Sequence, residues 1–192
     1  MSQAAEQIIA QVDSRLRERV LEEYRSAAGR APLSPGPRVV LVGHRGAGKT
    51  TLLPRVAAWL GRAAVDLDAE VERALGRPLR EVFQQDERRF RAAERERYAQ
   101  VPPGTVVAAG GGFLALHADL LGDDTAVLVP VSFQTYRERL LQDATRPRLR
   151  PELSAEDELR AVYEEREAIH RARVQEGRVV GLGELLARVG AS

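Results

Sequence analysis

The chain has 192 residues, with 29 Lys and Arg against 28 Asp and Glu, a formal net charge of +1 and 44% hydrophobic residues. This composition is typical of one ordinary globular domain with a short appendage. The near balance of charge excludes a strong positive field for holding nucleic acid, and the sequence shows neither a membrane-spanning apolar run nor a signal peptide. We therefore expect a cytoplasmic protein that binds neither nucleic acid nor membrane.

The reactive side chains are few. The chain has no Cys, which excludes disulfides and thiolate chemistry. The histidines His44, His117 and His170 lie too far apart in the sequence to predict a pair of metal ligands. Lys49 is the one lysine among the 29 basic residues, and it lies in a glycine-rich segment. We therefore expect chemistry based on oxygen, guanidinium and ammonium groups.

The first predicted element is an amphipathic helix over residues 4–28. Its apolar residues recur at helical spacing: Ile9, Val12, Leu16, Val20 and Ala27. Three prolines in residues 31–37 then predict a linker. We divide the chain into this helix and linker, residues 1–37, and a domain over residues 38–192. The apolar stripe needs burial, so we expect the helix to dock on the domain or to form a homodimer, without being needed for catalysis.

The domain alternates short apolar runs with longer helical patterns. Such runs are typical of parallel strands that are buried on both faces. The predicted strands are 39–42, 64–67, 105–109, 126–129 and 179–182, and the predicted helices are 49–60, 69–76, 79–99, 133–142, 155–172 and 183–189. We therefore expect an α/β fold with three layers, α/β/α, around a five-stranded parallel sheet. Residues 143–154, rich in Arg and Pro, form the candidate mobile lid.

A phosphate-binding loop follows the first predicted strand. Residues 43–50, Gly-His-Arg-Gly-Ala-Gly-Lys-Thr, fit the pattern G-x-x-x-x-G-K-[ST]. Backbone N–H groups of such a loop point at phosphate oxygens, and Lys49 adds a compact charge that a fork-shaped guanidinium would not match. Thr50 offers a hydroxyl to Mg²⁺. We expect ATP and Mg²⁺ to bind here, with nucleotide contacts from Gly43, Arg45, Gly46, Ala47, Gly48, Lys49, Thr50 and Thr51.

Two aspartates, Asp66 and Asp68, end the second predicted strand. Alternation along a strand places both carboxylates on one side, at the edge where α/β sheets bind ligands. One carboxylate could orient magnesium-bound water and the other an acceptor hydroxyl. Alternatively, they are a strand-end residue and a helix N-cap.

The later motifs resemble those of the shikimate kinase family. Phe90-Arg91 with Glu94, Gly110 to Gly112, Arg146-Pro147 and Arg166 follow the phosphate loop and the aspartate pair in the family's order, over about residues 38–175. The resemblance implies a P-loop NTPase fold of the nucleoside-monophosphate-kinase type. It also implies that ATP phosphorylates a hydroxyl of shikimate, a small carboxylated acceptor, in aromatic amino-acid biosynthesis.

The resemblance also implies residue roles. Lys49, Asp68 and Arg146 would be catalytic, with Asp68 binding the acceptor hydroxyls and serving as base. Thr50 would bind the metal directly and Asp66 through water. Arg146 would reach the transferring phosphate from the lid, and Arg139 would pack on adenine. The acceptor would be bound by Asp68, Arg91, Gly110, Gly111, Gly112 and Arg166, with the two arginines on its carboxylate.

Two other functions stay open. The scaffold could be the effector-binding domain of a transcription regulator, which the N-terminal appendage favours, as do Ala168 and His170 where the family has Pro and Tyr. It could also be a related kinase for another small carboxylated polyol. The phosphate loop, both aspartates and both acceptor arginines favour catalysis on shikimate.

Overall fold

The computed structural model describes residues 1–143 and 148–189. Within them, five parallel strands form one sheet in the order β2-β3-β1-β4-β5. The strands are β1 (Val39–Val42), β2 (Ala64–Asp66), β3 (Val106–Ala108), β4 (Thr125–Leu128) and β5 (Val179–Gly181). The predicted α/β fold with a five-stranded parallel sheet is confirmed.

Helices precede, connect and follow the strands. They are α1 (Gln3–Ile9), α2 (Arg17–Ala27), α3 (Lys49–Leu60), α4 (Leu67–Leu75), α5 (Leu79–Gln85), α6 (Glu87–Gln100), α7 (Phe113–Leu116), α8 (Phe133–Gln142), α9 (Ala155–Gln175) and α10 (Leu182–Val189). Short 3₁₀ turns span Ser14–Leu16 and Ala118–Leu120. Among the described helices, none combines the length and the apolar character needed to cross a membrane.

The sheet is covered on both faces. Val39 and Leu41 of β1 belong to a core that includes residues of α1, α3 and α10, whereas Val40 and Val42 belong to a second core with residues of α6 and α7. Successive side chains of a strand point to opposite faces, so an unbroken apolar run fits a strand covered on both sides. The result is the expected three-layer arrangement.

The register brings the ends of the strands together. Val39 of β1 is level with Val106 of β3 and Thr125 of β4, and Asp66 of β2 is level with Ala108 of β3. The carboxyl ends of these parallel strands therefore lie at one edge of the sheet, which is where α/β folds bind their ligands.

The prediction of one helix over residues 4–28 is wrong. The chain leaves α1 after Ile9, and α2 begins at Arg17. Asp13 lies in the break, where its carboxylate accepts hydrogen bonds from the backbone N of Arg15 at 3.1 Å and from the backbone N of Ser132 at 2.8 Å. The Asp13 carboxylate thus accepts one backbone hydrogen bond within its own turn and one from a distant loop. Because these bonds hold the turn in place, a turn forms here instead of a continuous helix.

The two N-terminal helices pack into the main core. Ile8, Ile9, Val12 and Val20 belong to the cluster that covers one face of the sheet. The contact of α2 with α10 is close, since a Cβ on Gly183 would lie 2.0 Å from the carbonyl O of Val20. The N-terminal segment therefore docks on the domain.

The prediction of one helix over residues 79–99 is also wrong. At Asp86 the backbone is extended, with φ −156° and ψ 90°, which ends α5. The Asp86 carboxylate then accepts from the backbone N of Arg89 at 3.0 Å and starts α6 as an N-cap. The chain thus turns between α5 and α6 beside the site described below.

We expect Asp13→Ala to lower the free energy of unfolding by about 1–3 kcal/mol, because it removes the carboxylate that accepts hydrogen bonds from the backbone N of Ser132 and the backbone N of Arg15. Asp13 is 4% exposed, and its carboxylate also accepts from Ser132 Oγ at 2.6 Å. Urea unfolding at pH 7 measures the loss. Asp123→Ala, at an exposed aspartate, is the control, with an expected change within about 0.5 kcal/mol.

The decrease in the free energy of unfolding caused by Asp13→Ala should depend on pH. Burial raises the pKa of Asp13, but the hydrogen bonds from Ser132 and Arg15 outweigh it and bring the pKa below its ordinary value. A lowered pKa stabilises the folded chain above the unfolded-state pKa of about 3.9, and this stabilisation disappears as the pH falls through the folded-state value. The difference between wild type and Asp13→Ala should therefore shrink in acid. An equal difference at pH 7 and at pH 3 would contradict this account.

Candidate active site

The glycine-rich loop, residues 43–48, joins β1 to α3 at the carboxyl edge of the sheet. Gly48 directly precedes α3 with a φ of +91°, a left-handed conformation that L side chains rarely adopt. Helix α3 begins at Lys49, so its N-terminal backbone N–H groups are presented at this loop. The loop and helix together form an anion-binding end of the kind that binds phosphate.

Lys49 is held against the inner side of the loop. Its Nζ donates to the carbonyl O of Gly43 at 2.9 Å and to that of His44 at 2.7 Å, and the residue is 8% exposed. The enclosure suits a compact ammonium, whereas a guanidinium is planar and presents its donors in a fixed fork. The single lysine of the chain therefore occupies a position where shape matters as well as charge.

Thr50 and Asp66 form the oxygen-rich part of the site. Thr50 Oγ1 donates to Asp66 Oδ2 at 2.7 Å. The other oxygen of Asp66, Oδ1, accepts from the backbone N of Ala69 at 3.2 Å. A hydroxyl and a carboxylate side by side are ligands that Mg²⁺ prefers in proteins.

The strand-alternation argument for Asp66 and Asp68 is wrong. Strand β2 ends at Asp66, which caps α4, and Asp68 lies in the first turn of that helix. The N-cap interpretation of Asp66 is thus the correct local description. Both carboxylates nevertheless face the same space, because both line the two cavities described next.

Two neighbouring cavities open beside the phosphate loop. The smaller, of about 380 Å³, extends along the loop, and the larger, of about 450 Å³, lies among α4, α5, α6 and α9. The residues common to both linings are Arg45, Thr50, Asp66, Asp68 and Gly111. Ligands in the two cavities would therefore meet at the two aspartates.

Most residues predicted to bind nucleotide line the smaller cavity: Arg45, Gly46, Gly48, Lys49, Thr50, Thr51 and Arg139. Arg139 Nη1 donates to the carbonyl O of Gly46 at 2.5 Å, so this arginine packs on the loop. Gly43 and Ala47 do not line it; Gly43 accepts from Lys49, and Ala47 is buried in the core. Arg146 lies outside the described residues.

Every residue predicted to bind the acceptor lines the larger cavity: Asp68, Arg91, Gly110, Gly111, Gly112 and Arg166. The two arginines meet at Gly112, since a Cβ there would lie 3.1 Å from Arg166 Nη2 and 3.5 Å from Arg91 Nη2. The absent side chain leaves room for a ligand to approach both guanidinium groups. The sequence separation of the two arginines gives no direct sign of this proximity.

The electrostatics of Arg166 favour an anion. Burial, with the positive charges of Arg45 and Arg91 nearby, lowers the pKa of Arg166 to about 10. Its Nη1 is buried and has no hydrogen-bond partner among residues 1–143 and 148–189. A carboxylate in the cavity would relieve the repulsion among these positive charges, and guanidinium forks match carboxylates well.

Glu94 is a site residue that the sequence motif included without giving it a role. The residue is fully buried, and its Oε2 accepts from Arg91 Nη1 at 3.0 Å and lies 3.0 Å from His117 Nε2. Its Oε1 has no partner in the described part of the chain and would lie 2.8 Å from a Cβ on Gly110. Glu94 therefore positions Arg91 and leaves one carboxylate oxygen at the cavity wall.

Two further features were missed. Gln11, between α1 and α2, lines the smaller cavity, and no motif in the sequence signals it. The sequence also shows no sign that His44 and His170 are neighbours, yet their ring centroids lie 4.6 Å apart. His44 and His170 are far apart in the sequence, and only folding brings them together.

Comparisons with known proteins agree with this geometry. A shikimate kinase family model matches residues 45–177. The shikimate kinase of Thermobifida fusca is 40% identical over 123 residues, which cover 61% of this chain and 71% of that relative. That of Mycobacterium avium is 35% identical over 140 residues, which cover 70% of this chain and 79% of the relative.

Solved structures give the same result. The shikimate kinase of Acinetobacter baumannii, determined in complex with shikimate, superposes with a TM-score of 0.64 at 29% identity, over 71% of this chain and 79% of that one. The shikimate kinase of Aquifex aeolicus superposes with a TM-score of 0.59 at 26% identity, over 70% of this chain and 82% of that one. The family model covers the phosphate loop from Arg45 onward together with Asp66, Asp68, Arg91 and Arg166, and this chain belongs to the shikimate kinase family.

Proposed function

We propose that this protein transfers the γ-phosphoryl group of ATP to a hydroxyl of shikimate. The observation that carries the proposal is the paired arginines, Arg91 and Arg166, in a cavity that joins the phosphate-loop cavity at Asp68. A carboxylated acceptor bound by those arginines can present its hydroxyls at the boundary where a terminal phosphate would lie. Family membership and the shikimate complex of the Acinetobacter baumannii relative support the choice of acceptor.

On the nucleotide side, the loop amides and Lys49 bind the phosphates. Thr50 and Asp66 fit Mg²⁺, because their hydroxyl and carboxylate lie together beside the loop. In the proposed arrangement Thr50 binds the ion directly and Asp66 through water. The ion supplies neutralisation of charge on the phosphates. Arg139 is proposed to contact the nucleotide beside Gly46, and Arg146 to reach the transferring phosphate.

On the acceptor side, Arg91 and Arg166 bind the carboxylate of shikimate, and Asp68 binds its hydroxyls. Asp68 then orients or deprotonates the attacking hydroxyl, since it lies where the two cavities meet. Gly110 to Gly112 bring backbone close to the acceptor without side chains in the way. We assign the reaction to residues 38–192 and propose that residues 1–37 stabilise this domain. We also propose that the protein is located in the cytoplasm.

A coupled assay of ADP release tests the proposal. We expect ADP release from ATP and Mg²⁺ to depend on shikimate and to remain at background with gluconate. Transfer to gluconate instead would indicate a related kinase with another acceptor. Tight ATP binding without transfer, and without calorimetric heat on adding shikimate, would favour the effector-binding function and refute the kinase proposal.

We expect Arg91→Ala and Arg166→Ala each to raise the KM for shikimate about 10- to 150-fold, which corresponds to the loss of a charge-assisted hydrogen bond of about 1.5–3 kcal/mol. The KM for ATP should stay within about twofold, because neither arginine lines the smaller cavity. Steady-state kinetics with each substrate varied in turn measure both effects.

Two matched variants sharpen this test. Arg88→Ala removes an exposed arginine from the same helix as Arg91 and should leave both KM values unchanged. Asp68→Asn should mainly lower kcat, because its role lies with the attacking hydroxyl. Equal effects of the arginine variants on ATP and on shikimate would contradict the assignment of the larger cavity to the acceptor.

A further inference from the structure

Three metal-ligand side chains converge behind the phosphate loop. They are His44 of the loop and Glu167 and His170 of α9, and one nitrogen of each imidazole and one carboxylate oxygen all lie within 4.8 Å of one another. None of the three lines either cavity of the proposed active site. The proposed phosphoryl transfer therefore gives this cluster no role.

The distances suit a small tetrahedral ion after minor adjustment. Glu167 Oε2 lies 3.1 Å from His44 Nε2 and 4.0 Å from His170 Nδ1. Ligand bonds of about 2.0–2.2 Å to a tetrahedral ion place neighbouring ligand atoms about 3.3–3.6 Å apart. Side-chain rotations that move the ligand atoms by a fraction of an ångström to about 1.5 Å would bring their separations into this range. Stacking of His44 on Tyr163, with ring centroids 4.2 Å apart, already fixes one ligand.

The imidazoles have unused bonding capacity. His44 and His170 are each 2% exposed. The Nδ1 of His170, which faces Glu167, has no hydrogen-bond partner among the described residues, whereas in His44 the nitrogen without a partner is Nδ1 and not the Nε2 that contacts Glu167. A buried polar atom without a partner costs free energy of folding, so it is uncommon unless something else binds it. The Nδ1 of His170 is directed towards Glu167 at a distance too long for a hydrogen bond.

The two rings are uncharged and the carboxylate is ionised. Burial lowers the pKa of His44 and brings the pKa of His170 to about 3, so both rings are neutral at pH 7. Burial raises the pKa of Glu167, but hydrogen bonds from His44 and Arg171 outweigh it and keep the carboxylate ionised. Because an ionised carboxylate only accepts, His44 Nε2 carries the ring proton, and binding of a cation at Nε2 would shift that proton to Nδ1.

The surroundings also limit the affinity. The positive charges of Lys49 and Arg166 are close enough to lower the pKa of both histidines. They oppose a bound cation, whereas the Glu167 carboxylate attracts it. Arg171 Nε donates to the second Glu167 oxygen at 3.2 Å and holds the carboxylate in place.

We propose that His44, Glu167 and His170 bind a divalent transition-metal ion of the Zn²⁺ class, with water as the fourth ligand. Two imidazoles and one carboxylate are a known zinc ligand set, and imidazole nitrogen disfavours Mg²⁺ as the occupant. The bound ion connects the phosphate loop, through His44, to the helix that carries Arg166. The site does not depend on the proposed function, because its ligands lie outside both cavities.

Calorimetric titration of the chelator-treated full chain with Zn²⁺ tests the proposal. Excess Mg²⁺ and the absence of nucleotide keep the oxygen ligands at Thr50 and Asp66 from competing. We expect one Zn²⁺ per chain, a higher unfolding temperature with Zn²⁺ than without, and a visible absorption band when Co²⁺ is used instead. Glu167→Gln and His170→Phe should each weaken binding at least tenfold and remove the band.

The matched control is Glu164→Gln, which neutralises an exposed carboxylate on the same helix and should bind Zn²⁺ as wild type does. If His170→Phe does not fold, the half-buried Glu167→Gln decides the question alone. Absence of Zn²⁺ binding to wild type overturns the proposal. Binding of equal strength to wild type and Glu167→Gln also overturns it, since the ion would then lie elsewhere.

Discussion

Lys49→Arg is expected to lower kcat about 100- to 1,000-fold at saturating ATP, the size of effect that follows the loss of one donor placed for the transition state. The substitution keeps the positive charge, so the experiment separates charge from shape. Rapid-quench or coupled measurement of ADP formation at saturating shikimate gives kcat directly.

The reason lies in the enclosure of the ammonium. Lys49 is 8% exposed, and its Nζ donates to two loop carbonyls, at Gly43 and His44, within 2.9 Å. A guanidinium is wider, rigidly planar and more weakly hydrated, and it cannot form both contacts from the same point. It would either move the loop carbonyls or leave the space in which the outer phosphates bind.

An exposed position on the same helix provides the control. Arg55→Lys also exchanges the two basic side chains on α3 and should leave kcat unchanged. The unfolding temperature of Lys49→Arg, measured alongside, shows whether the loop variant is folded. Near-normal kcat for a folded Lys49→Arg would refute the catalytic role of this lysine.

The fold was predictable because its signals are local. The valine-rich run 39–42 is apolar at every position, and only a strand covered on both faces buries all four side chains. The phosphate loop was predictable for a similar reason, since a strand, a glycine-rich turn and a helix follow one another directly. Arg91 and Arg166 were found through the order of motifs, although nothing in their own neighbourhoods distinguishes them from solvent-exposed arginines.

The parts that were not predictable depend on contacts between distant residues. The apolar stripe of residues 4–28 continues across the break at Asp13, so periodicity alone does not show it. The reason for the break is Ser132, a partner 119 residues away. The proximity of His44 and His170 arises in the same way, from the packing of α9 behind the phosphate loop.

Deletion of residues 1–35 is expected to abolish cooperative folding, and kinase activity with it, contrary to our expectation from the sequence that the N-terminal helix is not needed for catalysis. Ile8, Ile9, Val12 and Val20 are all at most 4% exposed and belong to the main core. Burial of four such side chains contributes roughly 6–12 kcal/mol at about 1.5–3 kcal/mol each, against a typical total stability of about 5–15 kcal/mol. Circular dichroism during thermal unfolding measures the outcome.

A single substitution tests the same packing without removing the chain. Ile8→Ala should lower the free energy of unfolding by about 2–5 kcal/mol, because it leaves a cavity at a position that is 1% exposed. Gln7→Ala, at an exposed neighbour on α1, should change it by less than about 0.5 kcal/mol. Since α1 supports the domain from outside the proposed reaction site, kcat of Ile8→Ala should match wild type below its unfolding temperature. A chain beginning at residue 36 that unfolds cooperatively and phosphorylates shikimate at the wild-type rate would show that the N-terminal helices contribute neither to stability nor to catalysis.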